Sequence, residues 1–451
     1  MVSPFPPGPS SPPALQVLRW IRTPFELLEE CRERFGDAFT LRLPRSPTGV
    51  VVVSDPAAVK DVFGLGPDEG HAGKAYWVLK PLVGEHSLLL LDGAEHLRQR
   101  KMILPAFHGE RMHAYGRTML EATEDAVDAM PLGRAFPVHK STQAITLQVI
   151  LRTVFGIDEG PRFAELAKLL ASMLDVAANP MLLLPALQRD LGRLSPWGRF
   201  LHRSRRASEI LRAEIRDGRR KGTAGRSDVL AMILEARDEA GNPLSEDEVH
   251  DELVTLLVAG HETTATALAW TLRWLLPDAA LVTRLRAEMA TAGGDPQKIA
   301  KLELLDATVK EALRLQPVLP MVGRVLQAPA RIGSLDLPAG ALVAPSIYLV
   351  HRRPELYPEP GRFWPERFVG KKPAAWEFLP FGGGLRKCVG ASFAIYEMKM
   401  VLAAMLPRID ARLASSRVKT VRRGITITPE GGLPILVTAK RARPSAPAQA
   451  A

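Results

Sequence analysis

Cysteine is nearly absent: Cys31 and Cys388 are the only two among 451 residues. Two thiols cannot staple a small secreted fold, and no Cys-x-x-Cys pair offers a zinc site. No apolar run reaches the roughly 18 residues that would cross a bilayer, so no transmembrane anchor is expected. Aromatic residues make up only 6%, with 5 Tyr and 15 Phe. Without interleaved aromatics for base stacking, and without an RRM, KH, helix-turn-helix or zinc-finger pattern, nucleic acid is not an expected partner. Acidic charge is also in deficit, since 59 Lys and Arg face 49 Asp and Glu for a net +10. That surplus suits an acidic protein partner, an acidic lipid surface, or simply a solvated basic face. The expected setting is cytoplasmic, with reduced thiols.

What is present is ordinary globular material: 46% hydrophobic and 24% charged residues, which excludes global disorder and collagen-like structure. Length alone suggests about three domains, yet neither a linker nor an internal repeat interrupts the chain. One unit over residues 1–451 is therefore expected. It would carry a stiff, extended proline-rich arm at 1–13 and a disordered tail at 441–451. Six prolines lie in that arm, which has neither the charged nor the apolar region of a signal peptide. Phe39–Leu43 and Gly49–Val53 read as a β-hairpin. From Asp92 to Ala290 nearly all the patterning is helical, with Arg216–Ser227 as a charged, glycine-rich loop between helices. After Pro317 come short strands and turns, then a final helix over about Val389–Leu406. The fold class is mainly α with small β-sheets (α+β), its strands split between the two ends of the chain.

One helix stands apart. Ser245 and Glu248 form a capping box, apolar periodicity runs on to Leu276, and Pro277 ends it. Thirty residues at 1.5 Å each span about 45 Å. Its middle, Val258-Ala259-Gly260-His261-Glu262-Thr263-Thr264, puts glycine and β-branched residues where helix propensity disfavours them, and such conflicts mark function. A zinc His-Glu-x-x-His site fails here because the fifth position is Ala265.

Phe381-Gly382-Gly383-Gly384-Leu385-Arg386-Lys387-Cys388-Val389-Gly390 has glycine at four of ten positions and leads into the final helix. A lone cysteine is ordinarily an inert buried thiol. Here a thiolate would be favoured by the helix N-terminus, by backbone N–H groups, and by Arg386 and Lys387. One soft anionic ligand with no second ligand nearby suits a metal that brings its other ligands with it, namely haem iron.

These residues resemble the cytochrome P-450 haem-thiolate monooxygenases. The family signature Phe-x-x-Gly-x-Arg-x-Cys-x-Gly is matched by Phe381, Gly384, Arg386, Cys388 and Gly390. Its Glu-x-x-Arg motif is matched by Glu311 and Arg314, its Pro-Glu-Arg-Phe loop by Pro365–Phe368, and its oxygen-binding motif by Ala259, Gly260 and Thr263. The resemblance spans residues 15–440. It implies a triangular, helix-rich prism with haem b (iron protoporphyrin IX) between the long helix and the Cys-loop helix, and Cys388 as the metal ligand. Glu311, Arg314 and Arg367 would form a buried charge triad fixing the loop. His96 and Arg100, one turn apart, would hold a haem propionate together with Arg324 and Arg386. Ala259, Gly260, Glu262 and Thr263 would serve dioxygen: Gly260 by making room, Thr263 with Glu262 by delivering protons. The alternative for Thr263 is a hydrogen bond back into its own helix. Arg353 departs from the family's usual Asp, which bears on a local ion pair.

By position in the family pattern, the substrate pocket would draw on Ser87, Leu88, Ala259, Leu319, Met321 and Ile425, beneath a lid at Ser172–Leu187. Aliphatic lining points to an apolar small molecule such as a fatty acid, a terpenoid or a similar natural product. Electrons would come from a ferredoxin or flavodoxin with its reductase, since no flavin or iron–sulfur motif is present and no reductase domain follows. A monomer is expected. The competing functions are a peroxide-driven or isomerising haem-thiolate enzyme, against which Glu262 and Thr263 argue, and a haem-binding sensor without turnover.

Overall fold

The computed structural model describes residues 4–43, 48–107, 111–157, 160–177 and 188–443. Its strands are β1 (Ala38–Leu41), β2 (Val50–Val53), β3 (Gly70–His71), β4 (Ala135–Pro137), β5 (Arg324–Leu326), β6 (Ala330–Ile332), β7 (Leu335–Leu337), β8 (Leu342–Pro345), β9 (Ile409–Leu413), β10 (Thr420–Arg423), β11 (Thr426–Pro429) and β12 (Pro434–Lys440). As the patterning predicts, β1 and β2 pair antiparallel, Ala38 opposite Val53. β2 then runs parallel to β8, almost 300 residues later, in a sheet of order β1-β2-β8-β5-β3. A second sheet, β4-β12-β9, joins a strand from within the helical part of the chain to two strands near its C-terminal end. The four valines of β2 are all buried, which fits a strand covered on both faces.

The proline arm does not stand free. Thr40 donates through its backbone N to Pro7 O (3.1 Å) and through its hydroxyl to Pro6 O (2.7 Å). Gly8 permits this approach, because a Cβ there would come within 1.9 Å of Thr40 O. Most of the apolar core is helical and surrounds the long helix Glu246–Leu275, whose capping box is present in both directions. Trp270, fully buried, donates from Nε1 to Ile427 O at 2.8 Å and ties that helix to β11.

Three segments differ from expectation. Arg216–Lys221 is the last turns of the helix Pro196–Lys221, not loop, because Asp217 pairs with Arg220 and Lys221 along the helix and Arg216 reaches Glu246. Gly218 sits inside that helix against Leu234, and Gly222, at φ 80°, ends it. Strand β4 interrupts the supposedly all-helical middle. The tail is anchored as far as it is described: Arg441 pairs with Asp410, and Arg443 with Asp125 and Asp128. Residues 444–451 lie outside the described residues. So does most of the expected lid, since Ser172–Ala177 end the helix Pro161–Ala177 and 178–187 are not described.

Candidate functional site

A cavity of about 1190 Å³ lies between the middle of the long helix and the Cys388 segment. The segment is held in shape by its own backbone: Cys388 N donates to Phe381 O (3.0 Å) and Lys387 N to Gly384 O (3.1 Å). Gly384 adopts φ 63°, and a Cβ there would fall 2.0 Å from Phe63 O, so this turn admits only glycine. Gly390 caps the final helix, Ala391–Arg408, and lines the cavity; a Cβ added there would meet only open space.

Cys388 presents accessible surface to the cavity while protein surrounds it on the other sides. Burial raises its thiol above the ordinary value, outweighing the Gly390 N–H and the charges of Arg100 and Lys387, which act the other way. Without a metal the cysteine is therefore held as a thiol, and the groups that would favour its anion are the Gly390 N–H, Arg100 and Lys387, with Arg386 not among them.

His96, Arg100, Arg324 and Arg386 all line this cavity. Burial, together with Arg386, Arg100 and Arg324, pushes the His96 pKa down to about 3, so its imidazole is neutral. Arg324 is buried and donates to Gly323 O (2.8 Å). Arg386 is largely committed elsewhere, to Leu91 O (2.5 Å), Leu89 O (3.0 Å) and Leu88 O (3.2 Å). Neither the His96 ring nor the Arg100 guanidinium hydrogen-bonds to another described residue, although their backbone groups bond within the helix. Asp92 lies 3.7 Å from Arg386, and it already accepts from the Gly73 and Lys74 N–H groups.

Glu311, Arg314 and Arg367 come together. Arg314 donates to both oxygens of Glu311 (2.7 and 2.8 Å), Arg367 Nε to Oε1 (3.0 Å) and Trp364 N to Oε1 (2.9 Å). Glu311 and Arg314 have no accessible surface, so this is a buried pair, not a solvated helix pair. Arg314 further donates to His351 O and Pro360 O. His351, which the motif comparison passed over, completes the path to the cysteine loop. Its Nε2 accepts from Leu379 N (2.8 Å), which fixes Nδ1 as the donor to Arg314 O (3.1 Å). Arg353, the departure from pattern, pairs with Asp37 at 2.7 Å. Burial would raise the Asp37 carboxyl, but hydrogen bonds from Arg353 and Ser54 outweigh it and hold the carboxyl low.

On the long helix Ala259, Gly260 and Thr263 face the cavity, and Glu262 does not. Glu262 points to the helix Val138–Thr153, where Gln143 donates to it at 2.7 Å, with Arg423 Nε at 3.4 Å and His139 Nε2 at 3.7 Å. An angle of about 100° from Thr263 was enough to send it there. The Thr263 hydroxyl donates to Ala259 O, the alternative considered from sequence. A Cβ at Gly260 would press on Ile150 Cδ1 at 3.3 Å, and since both residues line the cavity the glycine serves close packing at its wall. Of the six expected pocket residues, Leu88, Ala259, Leu319, Met321 and Ile425 line the cavity. Ser87 does not: it lies outside the lining, and its hydroxyl accepts from Thr255 at 2.7 Å. Sequence reasoning missed Glu252, which lines the same cavity seven residues before Ala259. The available signal was an acid on the helix face shared with Ala259 and Thr263.

Residues 6–433 match the family described as Cytochrome P450. A Mycobacterium bovis protein provisionally named cytochrome P450 135B1 is 39% identical over 446 residues, covering 97% of this chain and 92% of its own. A Mycobacterium tuberculosis protein provisionally named cytochrome P450 135A1 is 35% identical, covering 95% and 94%. Among solved structures, the cyanobacterial CYP120A1 with retinoic acid bound superposes with a TM-score of 0.83 at 25% identity, covering 96% of this chain and 99% of its own.

Proposed function

The chain belongs to the cytochrome P450 family, whose members carry haem and act as monooxygenases, and from that premise we propose that Cys388 would hold the haem iron through its thiolate and that the adjoining cavity takes an apolar substrate. Thiolate-held haem supplies the activation of dioxygen and the insertion of one oxygen atom into the substrate. The observation that carries the proposal is the placement of Cys388: it opens onto the cavity floor beside Gly390, where a missing side chain leaves space for a flat macrocycle. The surplus of cationic groups supports it too, since two propionates would neutralise what Asp92 alone does not. His96 would donate from its neutral ring, while Arg100 and Arg324 would hold the carboxylates as fixed cations.

The remaining roles belong to side chains around that centre. Leu88, Ala259, Leu319, Met321 and Ile425 exclude water and hold the substrate by shape. The Thr263 hydroxyl, now donated to Ala259 O, turns to pass a proton toward the reacting oxygen. We assign Glu262 to supplying that proton once its carboxyl swings from Gln143 and His139 toward the cavity side of the helix. Because Glu262 is turned away, a peroxide-driven enzyme stays as the second function; turnover by peroxide without reductase would favour it.

Fatty acids, terpenoids and similar natural products fit the aliphatic wall, and the retinoic acid of the cyanobacterial relative is such an elongated apolar molecule. Electrons would come from an acidic ferredoxin or flavodoxin with its reductase, attracted by the exposed Lys387 and the net +10 charge. No described helix is long and apolar enough to cross a membrane, and a cytoplasmic setting remains part of the reading; the sheet β1-β2-β8-β5-β3, drawn from both ends of the chain, supports one cooperative unit. Purified protein reduced under carbon monoxide should give the absorption band of thiolate-held haem, and Cys388→Ser should lose it. Haem bound with an unchanged band in Cys388→Ser would refute the assignment.

A further inference from the structure

Within the wall of the cavity sits one carboxyl group that the chemistry above does not use. Glu252 is the single acidic residue lining it among the described residues, against the cationic side chains Lys74, Arg100, Arg324, Arg386, Lys387 and Arg422. It is fully buried. Its Oε1 accepts from Leu88 N (2.6 Å) and from Gln99 Nε2 (2.8 Å), while Oε2 has no hydrogen-bond partner. Among the described residues no cation pairs with it. Arg98, three residues along from Glu95 on the facing helix, is spent on Asp238 and Glu248. The neighbouring hydroxyl of Thr255 is spent on Ser87 and Asp251 O. A buried carboxyl in this position is costly as an anion, and burial with Asp251 and Glu248 nearby pushes its pKa up to about 8. The protonated group then has one accepting oxygen fully used and one O–H donor left over, in the wall of the cavity.

We propose that Glu252 is a specificity-determining residue whose Oε2–H donates a hydrogen bond to an oxygen atom of a neutral, otherwise apolar ligand. Resting on the haem-thiolate reading, it narrows the substrate class to molecules with a hydroxyl or carbonyl group. Seven residues of helix separate Glu252 from Ala259, about 10 Å, so that oxygen lies far from the carbon presented beside Thr263. A cationic amine is the wrong ligand, because the lining is already rich in positive charge.

The test compares dodecan-1-ol, dodecane and dodecylamine as probes in equilibrium binding to the haem-loaded full chain. Each variant is first checked for the carbon monoxide band, so loss of the haem-thiolate centre is seen separately from loss of ligand discrimination. Wild type should bind the alcohol about tenfold more tightly than the alkane. Glu252→Gln, which keeps a donor, should retain most of that ratio, and Glu252→Leu should bring it close to one. An unchanged ratio in Glu252→Leu with the band intact overturns the proposal, as does amine binding that is tight in wild type and lost in Glu252→Gln. Infrared difference spectra of wild type minus Glu252→Gln supply a readout independent of the leucine variant. A protonated-carboxyl band that shifts when the alcohol binds is expected; a carboxylate band in its place refutes the donor.

Discussion

Replacing Glu311 by Gln separates two accounts of the Glu-x-x-Arg motif. As an exposed i,i+3 pair, Glu311 and Arg314 would contribute under about 1 kcal/mol, and the substitution would pass almost unnoticed. In the structure the carboxylate has no solvent contact and accepts four hydrogen bonds, three of them from two guanidinium groups. Neutralising it leaves both cations buried and turns an amide N–H₂ toward donors, which is expected to cost about 3–5 kcal/mol. At about 4 kcal/mol the folding constant falls by roughly three orders of magnitude. The assay is equilibrium unfolding in urea, followed by tryptophan fluorescence and haem absorbance together, because coincident transitions justify a single free energy. Haem retention is the second readout, since Arg314 and His351 link the triad to Leu379 just ahead of the cysteine loop. A loss below about 1 kcal/mol with haem retained would mean that water reaches the guanidinium groups in solution, and the buried triad would be refuted.

Other outcomes follow from the same geometry. Arg100→Leu should speed haem loss about tenfold without lowering apoprotein stability, because burial already disfavours this cation and no described residue accepts a hydrogen bond from its guanidinium; unchanged haem retention would count against its role. Glu252 takes up protons in the folded state between its ordinary value near 4.5 and about 8. Stability should therefore fall as pH rises through that window, by at most about 1.4 kcal/mol per pH unit, relative to Glu252→Gln measured in parallel. Parallel pH profiles for the two proteins would show that Asp251, Glu248 and the Leu88 N–H leave Glu252 unperturbed. Thr263→Ala should reduce product formed per NAD(P)H consumed by about tenfold while Thr263→Ser preserves it, and full product yield from the alanine variant would remove Thr263 from proton delivery.

Much of this site could be read in one dimension because its signals are local. A capping box, a glycine-rich turn before a helix, and acid and base one helical turn apart are spacings that backbone geometry converts directly into proximity, so the long helix, the cysteine loop and the Glu311–Arg314 pair lie where the residues say. Orientation and environment are different matters. Glu262 left the cavity because Gln143, 119 positions away, offered it a donor, and Ser87 left it for Thr255, 168 positions away. Arg386 gave its guanidinium to three carbonyls almost 300 residues distant. Burial raised the Cys388 thiol that its neighbours in sequence would have ionised, and it made Glu252 a neutral donor. Dielectric surroundings and long-range partners exist only once the chain has packed, so residue identity determined which groups are available and tertiary structure decided their direction and charge.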